Sequence, residues 1–218
     1  MKLLQLMCSA MAAIALTVIT ANQSDGALTY SISVVGPNTV NLNVPFMLDI
    51  VLTETATAGE ATLLGDPNIG VFQGNFRVGR TGAGNINITG VTGSASFDSF
   101  ISSSFTADGA ELAQQDLDLA ATPTGVFVAP ATFQILLGRV SLNAISPGSN
   151  TFTMADFDPA GDDLVLGDGT ILDSVVTYNG LTIAAVPEPS SVVLLSLAGM
   201  LIVAVKVRWK FQAFRAQA

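Results

Sequence analysis

From residue 28 onward the chain alternates apolar and polar positions. Tyr30, Ile32 and Val34 are separated by Ser31 and Ser33, a period of two that places the apolar set on one face of a strand. Gly36-Pro37-Asn38 interrupts the pattern with turn chemistry, and Val40, Leu42 and Val44 resume it against Thr39, Asn41 and Asn43. Beyond Pro45 the residues Phe46, Leu48, Ile50 and Leu52 continue it. Further runs at 71–78, 85–91, 133–142, 151–157, 171–178 and 181–186 are separated by clusters of Gly, Asn, Asp, Ser and Pro. Many short strands joined by polar turns predict an all-β domain, an antiparallel β-sandwich. One stretch departs from this. Asp108 and Glu111 have capping-box spacing ahead of Leu112, Ala113 and Leu117, which predicts a helical segment. Residues 55–68 and 93–107 read as longer loops, and the glycine-rich stretch 79–90 reads as a turn.

The pattern changes at both ends. Lys2 followed by the apolar stretch 3–21 reads as a secretory signal segment, with Ala21 the small residue at a candidate cleavage point. An N-terminal membrane anchor is the alternative. The only cysteine, Cys8, lies in this stretch and leaves with it, so the exported chain needs and forms no disulfide. At the other end, Val186-Pro187-Glu188-Pro189-Ser190 precedes an apolar run at 192–205, and Lys206, Arg208, Lys210 and Arg215 follow it with Trp209 among them. The two prolines fix φ and remove backbone donors, so this stretch stays extended. A helix over 191–207 spans about 26 Å at about 1.5 Å per residue, close to a hydrocarbon thickness of about 30 Å. Lys206, Arg208 and Lys210 form a membrane stop that keeps the C-terminus in the cytoplasm. The expected organisation is a signal helix and short linker at 1–27 and a β-sandwich at 28–182. A linker at 183–190, a transmembrane helix at 191–207 and a basic tail at 208–218 complete it.

Charge narrows the function. Between residues 28 and 182 there are fifteen Asp plus Glu against three basic residues, Arg77, Arg80 and Arg139, a net of −12. Such a field repels phosphate backbones and excludes nucleic acid as a partner. With no histidine in the chain, and with the one cysteine in the signal segment, Ser-His and Cys-His nucleophile systems and His- or Cys-ligated metal sites are excluded. Lysine occurs only at Lys2, Lys206 and Lys210, which excludes a Ser-Lys dyad in the domain. A pair of carboxylates would suffice for a glycosidase. The domain, however, holds no tryptophan as a sugar platform, and its two tyrosines, Tyr30 and Tyr178, fall in expected strands. The chemistry therefore points away from an enzyme.

The densest polar feature is Asp156-Phe157-Asp158-Pro159-Ala160-Gly161-Asp162-Asp163. Asp156, Asp158, Asp162 and Asp163 around a Pro and Gly turn offer oxygen ligands to one hard cation such as calcium. The first part has EF-hand spacing, with Asp156, Asp158 and Gly161 at its first, third and sixth places. Ala160 and Gly167 then stand where the fifth and twelfth ligands belong, so the loop is no EF-hand. Two readings stay open: a looser calcium loop, and a solvated acidic turn, toward which the composition leans.

Pro187-Glu188-Pro189, a short apolar span and a basic end together resemble the PEP-CTERM sorting signal of bacterial exported proteins. The resemblance covers about thirty residues, 186–215, and the basic residues are spaced rather than clustered. It implies recognition by an exosortase-type sorting enzyme in the membrane, in cells that make exopolysaccharide. Leu166-Gly167-Asp168-Gly169-Thr170-Ile171-Leu172-Asp173 and the acidic, Phe-rich strands resemble cohesin-like sandwiches of bacterial surfaces, a likeness that carries no binding residues across. The expectation is an exported, non-enzymatic surface or matrix protein associated with exopolysaccharide. The alternative is a carbohydrate- or protein-binding module stiffened by calcium.

Overall fold

The computed structural model describes residues 27–57, 60–83, 85–117 and 122–188, with Val193, Leu197, Gly199 and Met200 beyond them. The expected signal segment, Pro189, and the membrane stop Lys206, Arg208 and Lys210 lie outside the described residues. So does most of the expected membrane span; Val193, Leu197, Gly199 and Met200 have helical backbone. Among the described residues no helix is long and apolar enough to cross a membrane.

In chain order the strands are β1 (Leu28–Val35), β2 (Thr39–Asn41), β3 (Pro45–Ala56), β4 (Val71–Gly74), β5 (Phe76–Gly82), β6 (Ile86–Gly93) and β7 (Ser99–Phe105). They continue with β8 (Gly109–Gln115), β9 (Val126–Ala129), β10 (Thr132–Ala144), β11 (Gly148–Ala155), β12 (Leu164–Leu166), β13 (Val176–Asn179) and β14 (Leu181–Val186). One sheet runs β13-β1-β3-β10-β6, with β9 also on β10. The other runs β12-β4-β8-β5-β11-β14-β2, with β7 also on β8. The expected sandwich is present, but it is not wholly antiparallel: β1 pairs with β13, and β14 with β2, in parallel.

The alternation read from the sequence is the alternation that fills the core. Ile32 and Val34 from β1, Leu48, Ile50 and Leu52 from β3, and Val140 and Leu142 from β10 face Val78, Leu112, Phe152 and Ile183 of the second sheet in one buried cluster. Burying each such aliphatic side chain stabilises by roughly 1.5–3 kcal/mol. Gly138 sits at the irregularity in β10, where an added Cβ would meet the Thr92 carbonyl at 2.7 Å and the Phe76 ring at 2.9 Å. The absence of a side chain there lets Phe76 cross beneath the strand.

Several expectations are corrected. The helix expected at 108–117 is strand β8, paired with β5 on one side and β7 on the other. The two acids that imitate a helix cap are instead bound across the strands: Glu111 by Arg77 at 2.7 Å, and Asp108 by Arg80. Cross-strand ion pairs and the burial of Ala110 and Leu112 override the local signal. The expected loop at 93–107 contains β7, whose uncharged serine-rich sequence has no alternation to reveal it. The run at 171–178 is strand only from Val176, and the run at 71–78 is broken at Asn75. β14 extends through Val186, past the composition boundary at Thr182, because Ile183 and Ala185 are core residues.

A buried carboxylate fixes one end of the sandwich. Glu54 on β3 is fully buried, and its Oε2 accepts the Tyr30 hydroxyl at 2.9 Å and the backbone N–H groups of Leu63 and Leu64 at 3.0 and 3.2 Å. This ties the connection between β3 and β4 to the sheet and seats Leu64 in the core.

Candidate functional site

The acidic loop interrupts one continuous line of strand. β11 pairs with β5 up to Ala155 opposite Arg77, and β12 pairs with β4 from Leu164 opposite Gly74. Thus β11 and β12 border the same neighbouring line, and residues 156–163 bulge out between them. Asn75, between β4 and β5, faces that bulge. Its backbone N–H donates to the Asp163 carbonyl at 2.9 Å, and its Nδ2 donates to Asp163 Oδ1 at 3.1 Å. Its own Oδ1 accepts from the Gln114 backbone N–H at 3.0 Å, which fixes the amide against β8.

Asp163 is buried and organises the loop. Its Oδ2 accepts the Asp158 backbone N–H at 2.6 Å, and its own N–H donates to Asp173 Oδ2 at 2.9 Å. Leu164 N–H donates to Asp173 Oδ1 at 3.2 Å. Asp156, Asp163 and Asp173 thereby present carboxylate oxygens within 4.8 Å of one another. Oxygens bound to one calcium ion at about 2.4 Å lie no more than about 4.8 Å apart, so this spacing fits a hard cation. Oδ1 of Asp156 is buried without a hydrogen-bond partner. The ion pairs among the described residues are Arg77–Glu111, Arg80–Asp108 and Arg139–Asp49, and none of them includes a member of this trio.

The electrostatics follow. Burial raises the Asp156 carboxyl above its ordinary range, and the hydrogen bond to Asp163 and the charges of Asp163, Asp173 and Asp158 raise it further. Burial also raises Asp173, against the lowering effect of the N–H groups of Asp163 and Leu164. Tyr178 is pushed up to about 12, first by burial and then by the charges of Asp156, Asp173 and Asp163.

Of the four carboxylates read from the sequence, the structure brings Asp156 and Asp163 together. Asp158 and Asp162 are exposed: Asp158 Oδ1 caps the local turn by accepting the Ala160 N–H at 3.0 Å, and Asp162 contributes its carbonyl to Gln73. Sequence reading missed Asp173 and Asn75. Asp173 lies ten residues beyond Asp163 and joins only when the chain turns back after β12, with Leu172 buried as its anchor. Of the tripeptide expected to act in sorting, Pro187 and Glu188 are exposed directly after β14, where Leu42 N–H closes on the Val186 carbonyl at 3.3 Å.

The two packed sheets define a β-sandwich domain. No protein-family model matches the chain, and no curated protein matches it. It is similar to a non-cellulosomal cohesin from the hyperthermophilic archaeon Archaeoglobus fulgidus, at 11% identity and a TM-score of 0.46 over 75% of this chain and 95% of that one. It is also similar to the cohesin module of a Clostridium perfringens family 33 glycoside hydrolase, at 12% identity and a TM-score of 0.46 over 74% and 100%. A type II cohesin domain from the cellulosome of Acetivibrio cellulolyticus matches at 13% identity and a TM-score of 0.42 over 71% and 95%. The assignment of two packed sheets rests on the strand pairing itself.

Proposed function

We propose that this chain is an exported, non-enzymatic surface or extracellular-matrix protein, sorted through its Pro187-Glu188-Pro189 tail by an exosortase-type enzyme and associated with exopolysaccharide. The observation that carries the reading is the exit of the chain from the sandwich: Val186 ends β14, and Pro187 and Glu188 stand exposed beyond it. A donor-poor, extended segment there leaves the sheet before the apolar run begins, so an enzyme at the outer membrane-facing surface can reach it. The −12 charge between 28 and 182 suits solubility among hydrated polymers.

A second reading is a carbohydrate- or protein-binding module stiffened by calcium. It is favoured by the trio Asp156, Asp163 and Asp173, which gathers three acids outside the ion pairs of the described residues and includes one unpartnered buried oxygen. Co-sedimentation of the protein with the host's own exopolysaccharide, with and without chelator, separates the readings. Binding that persists under chelator supports the matrix role, and binding lost with calcium supports the second. No sedimentation in either condition contradicts association with the polysaccharide.

A further inference from the structure

The tail leaves the sandwich through an uncharged, apolar tip. Val186 ends β14, and its carbonyl accepts the Leu42 N–H at 3.3 Å; the next residue, Asn43, donates its own N–H to the Ala144 carbonyl at 2.7 Å. These two bonds bring Val44 and Ile145 beside the exit. Val35 closes β1 at the same end, and Met47 lies near the start of β3, which enters opposite Asn143 of β10. Val35, Val44, Met47, Ile145 and Val186 are each more than a third exposed, Met47 by 59%. No charged residue occurs in the stretches 28–48, 81–97, 140–155 and 174–187, which lead to and from this end. On the neighbouring strands Asp49 is paired with Arg139 and Asp108 with Arg80, and Glu188 stands on the linker itself.

The acids gather at the other end. β11 runs away from the tip for eight residues, roughly 25 Å at about 3.3 Å per residue, before the chain enters 156–173 with its six Asp. The connection that carries Glu60 and Asp66 is at that far end too, because β3 finishes with Ala56 opposite Leu28. β9 also exposes Val126, Phe127 and Val128, but it pairs with the first residues of β10 and so belongs to the acidic end.

The tether selects what covers the tip. Four residues, 187–190, separate Val186 from the expected membrane helix at 191–207. At no more than about 3.6 Å per residue they reach roughly 14 Å. We infer that Val35, Val44, Met47, Ile145 and Val186 rest on the lipid surface of the bilayer that the tail enters, with the acidic end pointing away. Contiguous exposed apolar side chains of this kind mark contact surfaces, and here the bilayer is the surface within reach. Repulsion from anionic lipid does not prevent the contact. The far acids stand about 25 Å back, beyond the screening length of about 10 Å at 0.1 M salt. Such a seat holds Pro187 and Glu188 at the headgroup layer before the tail is cut.

The inference rests on the membrane reading of the tail, and its test separates the two. The exported chain, with Cys8→Ser and its tail retained, is reconstituted in phosphatidylcholine vesicles that carry a doxyl quencher near the headgroup. A nitrobenzoxadiazole label is placed on one new cysteine at a time. Labels at Met47→Cys and Ile145→Cys are expected to be quenched and blue-shifted, as is one at Val193→Cys in the tail. A label at Ser174→Cys, exposed at the acidic end, is expected to be neither. Adding Val44→Asp to Ile145→Cys is expected to bring quenching down to the Ser174→Cys level, which a label held near lipid by the tether alone would not show. Quenching at Val193→Cys with none at Met47→Cys and Ile145→Cys overturns the seated tip and leaves the membrane tail standing. Equal quenching at Met47→Cys and Ser174→Cys, or no effect of Val44→Asp, overturns it as well. No quenching at Val193→Cys overturns the membrane tail and the seated tip together.

Discussion

Asn75 and Asp163 are joined twice, backbone N–H to carbonyl at 2.9 Å and side-chain amide to carboxylate at 3.1 Å. Two interrupted strand lines meet at this pair, so it holds the acidic loop to the sheet. Asn75→Ala removes the side-chain bond and leaves the Gln114 N–H without its acceptor. A loss of roughly 2–3 kcal/mol is expected in chemical denaturation, since a buried donor left unsatisfied costs about 1–3 kcal/mol. A loss below a few tenths would mean that Asn75 does not carry the loop.

The three carboxylates predict an unusual response to pH. Asp156 and Asp173 are raised, chiefly by burial, so the folded protein holds their protons more tightly than the unfolded chain does. Their contribution to stability is complete below the unfolded value of about 4 and is lost as pH rises through the folded value. In chelator the melting temperature is expected to fall over that window, and Asp156→Asn is expected to flatten the fall. Calcium at neutral pH is expected to restore the lost stability, because a ligand that binds only the native state stabilises it. Asp173→Asn should abolish that response, while Asp158→Asn and Asp162→Asn leave it. Equal calcium responses in all these variants would exclude the trio as ligands.

Glu54 offers a test of a second buried carboxylate. Glu54→Ala strands the Tyr30 hydroxyl and the N–H groups of Leu63 and Leu64. The expected cost is roughly 3 kcal/mol or more. Glu54→Gln keeps a carbonyl acceptor and should cost less, about 1 kcal/mol. Limited proteolysis of the connection between β3 and β4 should accelerate in the alanine variant first.

The two tyrosines of the chain report the same burial at alkaline pH. Tyr30 lies well above its ordinary value through burial and its bond to Glu54, and Tyr178 is pushed up to about 12. In the folded protein the phenolate band should therefore stay small at about pH 10, where free tyrosine is half ionised. The stability these groups supply is present below about 10 and lost as pH rises through their folded values. Half-ionisation near 10 in the folded state would contradict their placement.

The strands legible in the sequence are those with one buried face: β1, β3 and β10 alternate because Ile32, Leu48, Ile50, Leu52, Val140 and Leu142 must all point inward. β7 and β9 escaped because both of their faces are exposed, which erases the period of two. β8 was read as helix because Asp108 and Glu111 have cap spacing, and nothing local reveals Arg77 and Arg80 across the ladder. At the acidic loop, the carboxylate content was legible but its geometry was not. Asp163 turns inward because Asn75 and Asp173, distant in sequence, hold it, and only there does it come beside Asp156.

The sorting reading stands or falls on the fate of the C-terminus. A chain tagged both within the sandwich and after Ala218, expressed in a host with active sorting machinery, separates processing from simple anchoring. The exported protein is expected to keep the internal tag and lose the C-terminal one, with the cut near Pro187-Glu188-Pro189, and Glu188→Ala is expected to slow that loss. Both tags remaining together in the membrane, in wild type and Glu188→Ala alike, would contradict the account.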